Sequence, residues 1–212
     1  MWPLVRGFLP EPPAQVVEIG CGSLGGFVPM LGSSGYEAIG VDPEAPDERD
    51  YRRVEFENAG PFSDLDAVVA STSLHHVADP EVVIDGVASA LSPGGTVVVV
   101  EWDWEAFDEP TAEWCFERLG SQEEGWLHGR RDEWLTSGRP WPAYLREWAQ
   151  EHELHGAETL LGLLDRRFER THLAHGPYFF PDLTETSEAD ELAAIQEWLI
   201  RATRVDYVGR RR

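Results

Sequence analysis

The first half of the chain repeats short β-branched apolar runs separated by amphipathic or glycine-rich stretches. Five of these runs predict buried strands, at residues 16–19, 38–41, 53–56, 67–70 and 96–100, of which the run at 53–56 is the weakest. Strands that alternate with helices at this spacing pair in parallel through right-handed crossovers. The pattern therefore predicts an α/β fold whose doubly wound sheet has helices on both faces.

The second half of the chain follows a different pattern. Residues 111–173 contain no convincing strand, but their apolar residues recur at helical spacing, which predicts a helical insertion. Residues 177–180 resume an extended pattern and predict the sixth strand, and residues 205–208 predict the last strand. A helix that starts at Ser187 separates these two strands. The apolar face that this helix is expected to bury consists of Leu192, Ile195 and Leu199.

The segment VVEIGCGSLGG, residues 16–26, carries the strongest chemical signal. A strand ends here, Gly20 and Gly22 let the backbone turn tightly, and Gly25 or Gly26 lets the next helix approach closely. Such a loop brings a cofactor against the backbone N–H groups at a helix N-terminus. The segment therefore predicts a nucleotide-type cofactor site.

Asp42 ends the second strand, where its carboxylate can accept hydrogen bonds from both ribose hydroxyls of an adenosine. The spacing from the glycines to Asp42 fits both NAD and S-adenosylmethionine (SAM), so the glycines alone do not separate these cofactors. Glu18 favours SAM, because a carboxylate at the end of the first strand repels a pyrophosphate and suits a ligand that carries an ammonium and a sulfonium.

Four segments, in order, resemble the class I SAM-dependent methyltransferases. VVEIGCGSLGG resembles motif I, YEAIGVDP the second strand with its ribose-binding acid, LDAVVASTSLHHVADP the segment after strand four, and LSPGGTVVVVEW the fifth strand with its preceding loop. Together they are similar to the type 11 methyltransferase domain. The resemblance implies a Rossmann-like sheet of seven mostly parallel strands within one domain, 1–212. Its expected parts are a SAM-binding half at 14–102, a helical insertion or cap at 103–173, and the last two strands with a helix at 174–212.

The resemblance also assigns roles to residues. Those expected at the methionine end of SAM are Glu18, Gly20, Gly22 and Ser71. Asp42 is expected on the ribose, and Glu57 lies where the family has its adenine-contacting acid. The glycine loop is one residue longer than the usual family form, which leaves the role of the third glycine open between Gly25 and Gly26. The complete expected cofactor site consists of Glu18, Gly20, Cys21, Gly22, Gly25, Asp42, Pro43, Glu57 and Ser71.

Two adjacent histidines follow the fourth strand, at the expected rim of the cofactor site. Methyl transfer to an oxygen or nitrogen needs a base that removes a proton from the acceptor. We expect His75 to be this base and His76 to pack or hydrogen-bond, because adjacent side chains point in different directions; a structural role for both fits the sequence equally well. The acids of the EWDWE segment after the fifth strand have no matching ligands elsewhere, so no metal site is expected.

Nine tryptophans are present, seven of them between Trp102 and Trp148. They either pack the core of the helical insertion or line a pocket for an apolar or planar substrate, and core packing is favoured for most of them. The residues expected to contact a substrate are Trp102, Trp104 and Tyr178.

The net charge is −22, and every basic residue is an arginine. A chain this acidic repels phosphate backbones, so no nucleic-acid partner is expected. The two cysteines exclude a disulfide framework, and the apolar runs are too short to cross a bilayer, so we expect a cytoplasmic protein without a membrane partner. The sequence thus predicts a SAM-dependent methyltransferase that acts on a small molecule. The alternatives are an NAD(P)-linked Rossmann oxidoreductase and a non-catalytic SAM-binding protein.

Overall fold

The alternating pattern of the first half forms the greater part of a seven-stranded sheet. The computed structural model describes residues 1–120 and 125–212. The strands are β1 (Gln15–Ile19), β2 (Glu37–Val41), β3 (Tyr51–Arg52), β4 (Leu65–Ser71), β5 (Leu91–Trp102), β6 (Phe168–Gly176) and β7 (Arg204–Arg211). The helices are α1 (Trp2–Phe8), α2 (Val28–Ser33), α3 (Pro80–Ala90), α4 (Glu109–Phe116), α5 (Trp126–Ser137), α6 (Trp141–Glu151), α7 (Ala157–Arg167) and α8 (Glu188–Gln196).

The strand order of the sheet is β3-β2-β1-β4-β5-β7-β6, which confirms the expected doubly wound fold. The pairs β1–β2, β1–β4, β2–β3 and β4–β5 are all parallel. The chain runs outward from β1 to β2 and β3, then returns to place β4 on the other side of β1. This reversal opens a crevice at the carboxyl ends of β1 and β4, where ligands of open α/β sheets bind.

The chain divides into two compact units. The first unit consists of Met1–Glu101, Ala157–Ala174 and Asp206–Arg212, and the second unit consists of Trp102–Gly156 and His175–Val205. In the first unit, β4 and β5 are buried along most of their length, as expected for strands covered on both faces. Asp79 caps α3, its carboxylate accepting hydrogen bonds from the backbone N–H groups of Glu81 and Val82.

The core of the second unit is a cluster of large rings, which we call the aromatic cluster. Its buried members are Trp102, Phe107, Trp141, Trp148 and Phe179, and the exposed Trp126 packs on Trp102 and Phe107 at the edge of the cluster. Trp141 is completely buried, and its indole Nε1–H donates a hydrogen bond to the Phe107 carbonyl at 2.6 Å. The polar atom of a buried indole needs such a partner, and here the backbone supplies it.

Three predictions were wrong: the position of the sixth strand, the position of the third strand, and the residues that the helix after Ser187 buries. The sixth strand is β6, an edge strand with mostly exposed side chains, and residues 177–180 lead instead into a 3₁₀ turn at Phe180–Asp182. The third strand lies at β3, before residues 53–56. Helix α8 leaves Leu192 exposed and buries Glu191 and Ala194, and it ends at Gln196, so that Leu199 lies beyond the helix and is exposed as well. The Glu191 carboxylate explains both errors near the end of the chain, because it accepts the N–H groups of residues 178–180 and so replaces strand pairing there.

Candidate cofactor site

The loop between β1 and α2 turns tightly because its glycines adopt left-handed backbone conformations. The angle φ is +81° at Gly20, +63° at Gly22, +83° at Gly25 and +54° at Gly26. Gly20 also has a steric requirement, because an added Cβ would overlap the side chain of Ser73, which follows β4. An added Cβ at Gly22 would meet nothing within 4 Å, so the loop leaves open space beside this residue.

Glu18 lies near the end of β1, as expected, but its side chain is buried beneath this loop and is not among the residues that line the hollow described below. Its side chain is only 2% exposed, and Oε2 accepts a hydrogen bond from the Phe27 backbone N–H at 2.7 Å. Burial raises the pKa of the carboxyl to about 7, against the opposing effect of the backbone N–H groups of Phe27 and Val28. The side chain is buried because the loop folds over the end of β1 and closes Gly26 against the carboxylate.

Asp42 lies where the sequence predicted it, directly after β2 and beside the glycine loop. Parallel pairing of Ile19 with Val41 brings the ends of β1 and β2 together. Oδ2 of Asp42 accepts a hydrogen bond from the Gly22 N–H at 3.0 Å, and Oδ1 accepts one from the Glu44 N–H at 2.7 Å. Each carboxylate oxygen keeps a second lone pair for a ligand.

A hollow of about 350 Å³ opens at the ends of β1, β2 and β4. This volume lies within the range of small-molecule sites, about 300–1,000 Å³. The sequence-predicted residues that line the hollow are Gly20, Gly22, Asp42, Pro43 and His76. Lining residues that the sequence reasoning missed include Glu55, Phe56, Thr72 and Ser73. The signal for Thr72 and Ser73 was their position directly after β4, at the same sheet edge as the glycine loop.

The other expected cofactor residues lie near the hollow but are not among its lining residues. Cys21 is buried, and burial together with the negative charges of Glu18 and Asp42 raises the pKa of its thiol to about 12. The Gly25 carbonyl accepts a hydrogen bond from the Tyr51 hydroxyl at 3.3 Å. Glu57 is exposed in the 3₁₀ turn Phe56–Asn58, and Ser71 Oγ lies 3.0 Å from Sδ of Met1.

The two histidines, of which the sequence favoured His75 as the base, have opposite environments. His75 is 4% exposed, and its Nδ1 lies 2.5 Å from Oε2 of Glu101 at the end of β5. His76 is exposed and lines the hollow, with its ring centroid 4.1 Å from that of His75. The reason is the short 3₁₀ turn Leu74–His76, which directs Leu74 and His75 inward and leaves His76 outside.

Two of the three expected substrate-pocket residues meet in the second unit. Trp102 stacks on Tyr178, with ring centroids 6.2 Å apart and an interplanar angle of 16°. Trp104 is partly buried against the aromatic cluster, and its Nε1–H donates a hydrogen bond to the His155 carbonyl at 3.3 Å. Of the seven tryptophans from Trp102 to Trp148, six belong to the core of the second unit or pack against it: Trp102, Trp141 and Trp148 are buried, and Trp104, Trp114 and Trp134 are partly buried.

Residues 1–120 and 125–212 also bear on the expectations about metal binding and membrane insertion. Across these described ranges, no group of three or more His, Cys, Asp or Glu residues is arranged to hold a metal ion. No helix in this part of the chain combines the length and the apolar character needed to cross a membrane.

Comparison with known proteins adds a family and a set of similar folds. A model of the methyltransferase domain family matches residues 3–167. A SAM-dependent methyltransferase from Mesorhizobium loti has a similar structure, with a TM-score of 0.60 and 23% identity over 99% of this chain and 97% of that one. No curated protein sequence matches the chain.

Two further solved structures are similar at lower identity. The N-methyltransferase NodS from Bradyrhizobium japonicum WM9, in complex with S-adenosyl-L-homocysteine (SAH), has a TM-score of 0.53 and 14% identity, covering 93% of this chain and 78% of that one. The geranyl diphosphate C-methyltransferase from Streptomyces coelicolor A3(2) was solved in complex with Mg²⁺, geranyl diphosphate and SAH. It has a TM-score of 0.56 and 15% identity, and the match covers 99% of this chain and 76% of that one. At these identities the likeness shows the fold.

Proposed function

The chain belongs to the methyltransferase domain family and is a SAM-dependent methyltransferase, and on this premise we propose that its methyl acceptor is a small molecule. Family membership decides between the two cofactors that the glycine spacing allowed, and it does so in favour of SAM. The hollow of about 350 Å³ has the size of a small-molecule site and is the place for SAM itself. The observation that carries the proposal of a small acceptor is the net charge of −22, because a chain this acidic repels nucleic acids.

The residues of the hollow fit SAM. Gly22 leaves open space where a side chain would stand, and Asp42 offers a lone pair on each oxygen beyond its bonds to backbone N–H groups. Asp42 and Glu55 place negative charge around a site for a cation. We assign Asp42 to the ribose hydroxyls and the backbone at Gly20 and Gly22 to the methionine end.

When bound, SAM supplies a methyl group that its sulfonium activates toward an in-line displacement. The chain orients the two reactants, and a base on the chain takes the proton of an oxygen or nitrogen acceptor. We assign this base to His76, because it lines the hollow while His75 is buried against Glu101. Replacing His76 by Asn is expected to slow turnover with little change in the affinity for SAH.

A small acceptor also agrees with the charge of the chain and with its structural neighbours. The net charge of −22 disfavours nucleic acids. NodS is an N-methyltransferase, and the Streptomyces coelicolor enzyme is a C-methyltransferase whose structure contains geranyl diphosphate, so this fold accommodates different accepting atoms. Trp102, Trp104 and Tyr178 stay predictions as acceptor contacts, as do the three-part division of the domain and the cytoplasmic location.

The test uses methyl-labelled SAM and a cell extract separated by dialysis into metabolites and retained macromolecules. After chromatographic removal of unreacted SAM, the proposal predicts labelled products in the dialysable fraction when wild-type protein is added, and clearly less of them with Asp42→Ala. Label confined to retained protein or RNA would contradict a small-molecule acceptor.

A further inference from the structure

Glu101, at the end of β5, anchors the segment that follows β4. Its Oε1 accepts hydrogen bonds from the backbone N–H groups of Ser73 at 2.9 Å and Leu74 at 2.6 Å. Its Oε2 meets Nδ1 of His75 at 2.5 Å. The residue is 2% exposed, and hydrogen bonds in a buried, low-dielectric environment are stronger than the same bonds in water. One buried side chain therefore fixes three successive residues.

Ser73 connects this anchor to the glycine loop. Its Oγ–H donates a hydrogen bond to the Ile19 carbonyl at 3.0 Å, at the end of β1. Gly20 packs so closely on Ser73 that any side chain at position 20 would overlap it. Ser73 and Gly20 both line the hollow. A shift of Ser73 therefore changes the shape of the hollow directly.

We propose that Glu101 is a positioning residue for the methyl donor, acting through Ser73 on the hollow between the glycine loop and the segment after β4. This role rests on the proposed function of that hollow. Glu101 itself does not line the hollow. The role requires a carboxylate, because three donors converge on its two oxygens when Nδ1 of His75 carries the proton. An amide would turn an NH₂ group toward one of these donors.

The second unit offers a matched control. Glu191 in α8 is 1% exposed and also accepts three hydrogen bonds, from the backbone N–H groups of Tyr178 at 2.8 Å, Phe179 at 3.2 Å and Phe180 at 2.7 Å. Its chemistry and burial match those of Glu101, but it holds a turn that does not contribute to the hollow. A general cost of removing a buried carboxylate should appear equally in both variants.

The experiment measures SAH affinity by isothermal titration calorimetry and thermal stability by circular dichroism, for wild type, Glu101→Gln and Glu191→Gln. Both variants should lose thermal stability. Glu101→Gln should weaken SAH binding by about tenfold or more, whereas Glu191→Gln should stay within about twofold of wild type. Equal SAH affinity in wild type and Glu101→Gln, or equal losses in the two variants, would overturn the positioning role.

Ser73→Ala provides a second, milder variant and decides the question if Glu101→Gln does not fold. It should weaken SAH binding, and its effect should be non-additive with that of Glu101→Gln if the two residues act as one unit. Unchanged affinity in Ser73→Ala, or strict additivity in the double variant, would overturn the proposal. Absence of SAH binding to wild type would instead overturn the proposed function itself, so the two failures are distinguishable.

Discussion

The hollow of the first unit and the aromatic cluster of the second unit are built by opposite means. The hollow depends on backbone geometry: glycines with positive φ form one wall, and buried carboxylates accept the N–H groups of the loops around it. The aromatic cluster depends on side-chain volume, with Trp141 completely buried among other rings. Backbone requirements restrict which residue can occupy a position, whereas a packed core accepts many combinations, so the two regions should respond differently to substitution.

The largest expected effect tests whether the aromatic cluster is a core. Trp141→Ala removes a completely buried indole and the hydrogen bond from its Nε1 to the Phe107 carbonyl. We expect the free energy of unfolding to fall by about 3–5 kcal/mol, measured by urea denaturation. Trp198, which is 93% exposed, serves as the control, and Trp198→Ala should change the free energy of unfolding by less than about 0.5 kcal/mol. Similar losses of unfolding free energy in both variants would contradict the interpretation of the aromatic cluster as a packed core.

The next effect concerns the buried carboxylate beneath the glycine loop. The pKa of Glu18 is raised from 4.5 to about 7 by burial, so between these values the folded state binds more protons than the unfolded state. Its contribution to the free energy of unfolding therefore falls as pH rises through this window, by a total on the order of 3 kcal/mol. Urea denaturation at about pH 5 and pH 8 should show a smaller fall in Glu18→Gln than in wild type.

An exposed glutamate provides the comparison for that experiment. Glu37 starts β2 and is solvent-exposed, so Glu37→Gln should keep the wild-type dependence on pH. If Glu18→Gln shows the same fall as wild type and Glu37→Gln, the burial of Glu18 does not control the pH dependence.

The smallest expected effect separates two glycines of the same loop. Gly20 and Gly22 both have positive φ, so alanine at either position costs about 1 kcal/mol or more. Gly20→Ala should be the more destabilising of the two, because its Cβ would also overlap Ser73, whereas the Cβ at position 22 would meet nothing within 4 Å. Urea denaturation of the two variants checks the order, and the reverse order would contradict the close packing of Gly20 on Ser73.

The sequence was informative where a residue's identity reflects a backbone constraint. The glycines after β1 and the acid after β2 are visible as residue types, and their positions in the structure agree with the fold that they predicted. Thr72 and Ser73 line the same hollow but are ordinary polar residues, so their type alone gave no signal. The sequence did not tell which of His75 and His76 faces the hollow, because the turn that separates them depends on the buried position of Leu74 and on contacts with Glu101.

The sequence was less informative where tertiary contacts override a local pattern. The spacing of Leu192, Ile195 and Leu199 predicts an apolar buried face, yet α8 turns Glu191 inward because three backbone N–H groups need its carboxylate. A buried glutamate is rare unless it is paired, so periodicity assigned this position to solvent. The same carboxylate removed the need for strand pairing at residues 177–180.

Titration of SAH into wild type, Asp42→Ala and Asp47→Ala decides whether the hollow holds the methyl donor. Asp42 lines the hollow, whereas Asp47 is exposed and is not among its lining residues, so the pair separates a local role from a change in net charge. Wild type and Asp47→Ala should bind SAH with equal affinity, and Asp42→Ala should bind at least about tenfold more weakly, because it loses the ribose acceptors and a bond to the Gly22 N–H. Wild-type protein that does not bind SAH, or Asp42→Ala that binds it as tightly as wild type, would contradict this assignment of the hollow.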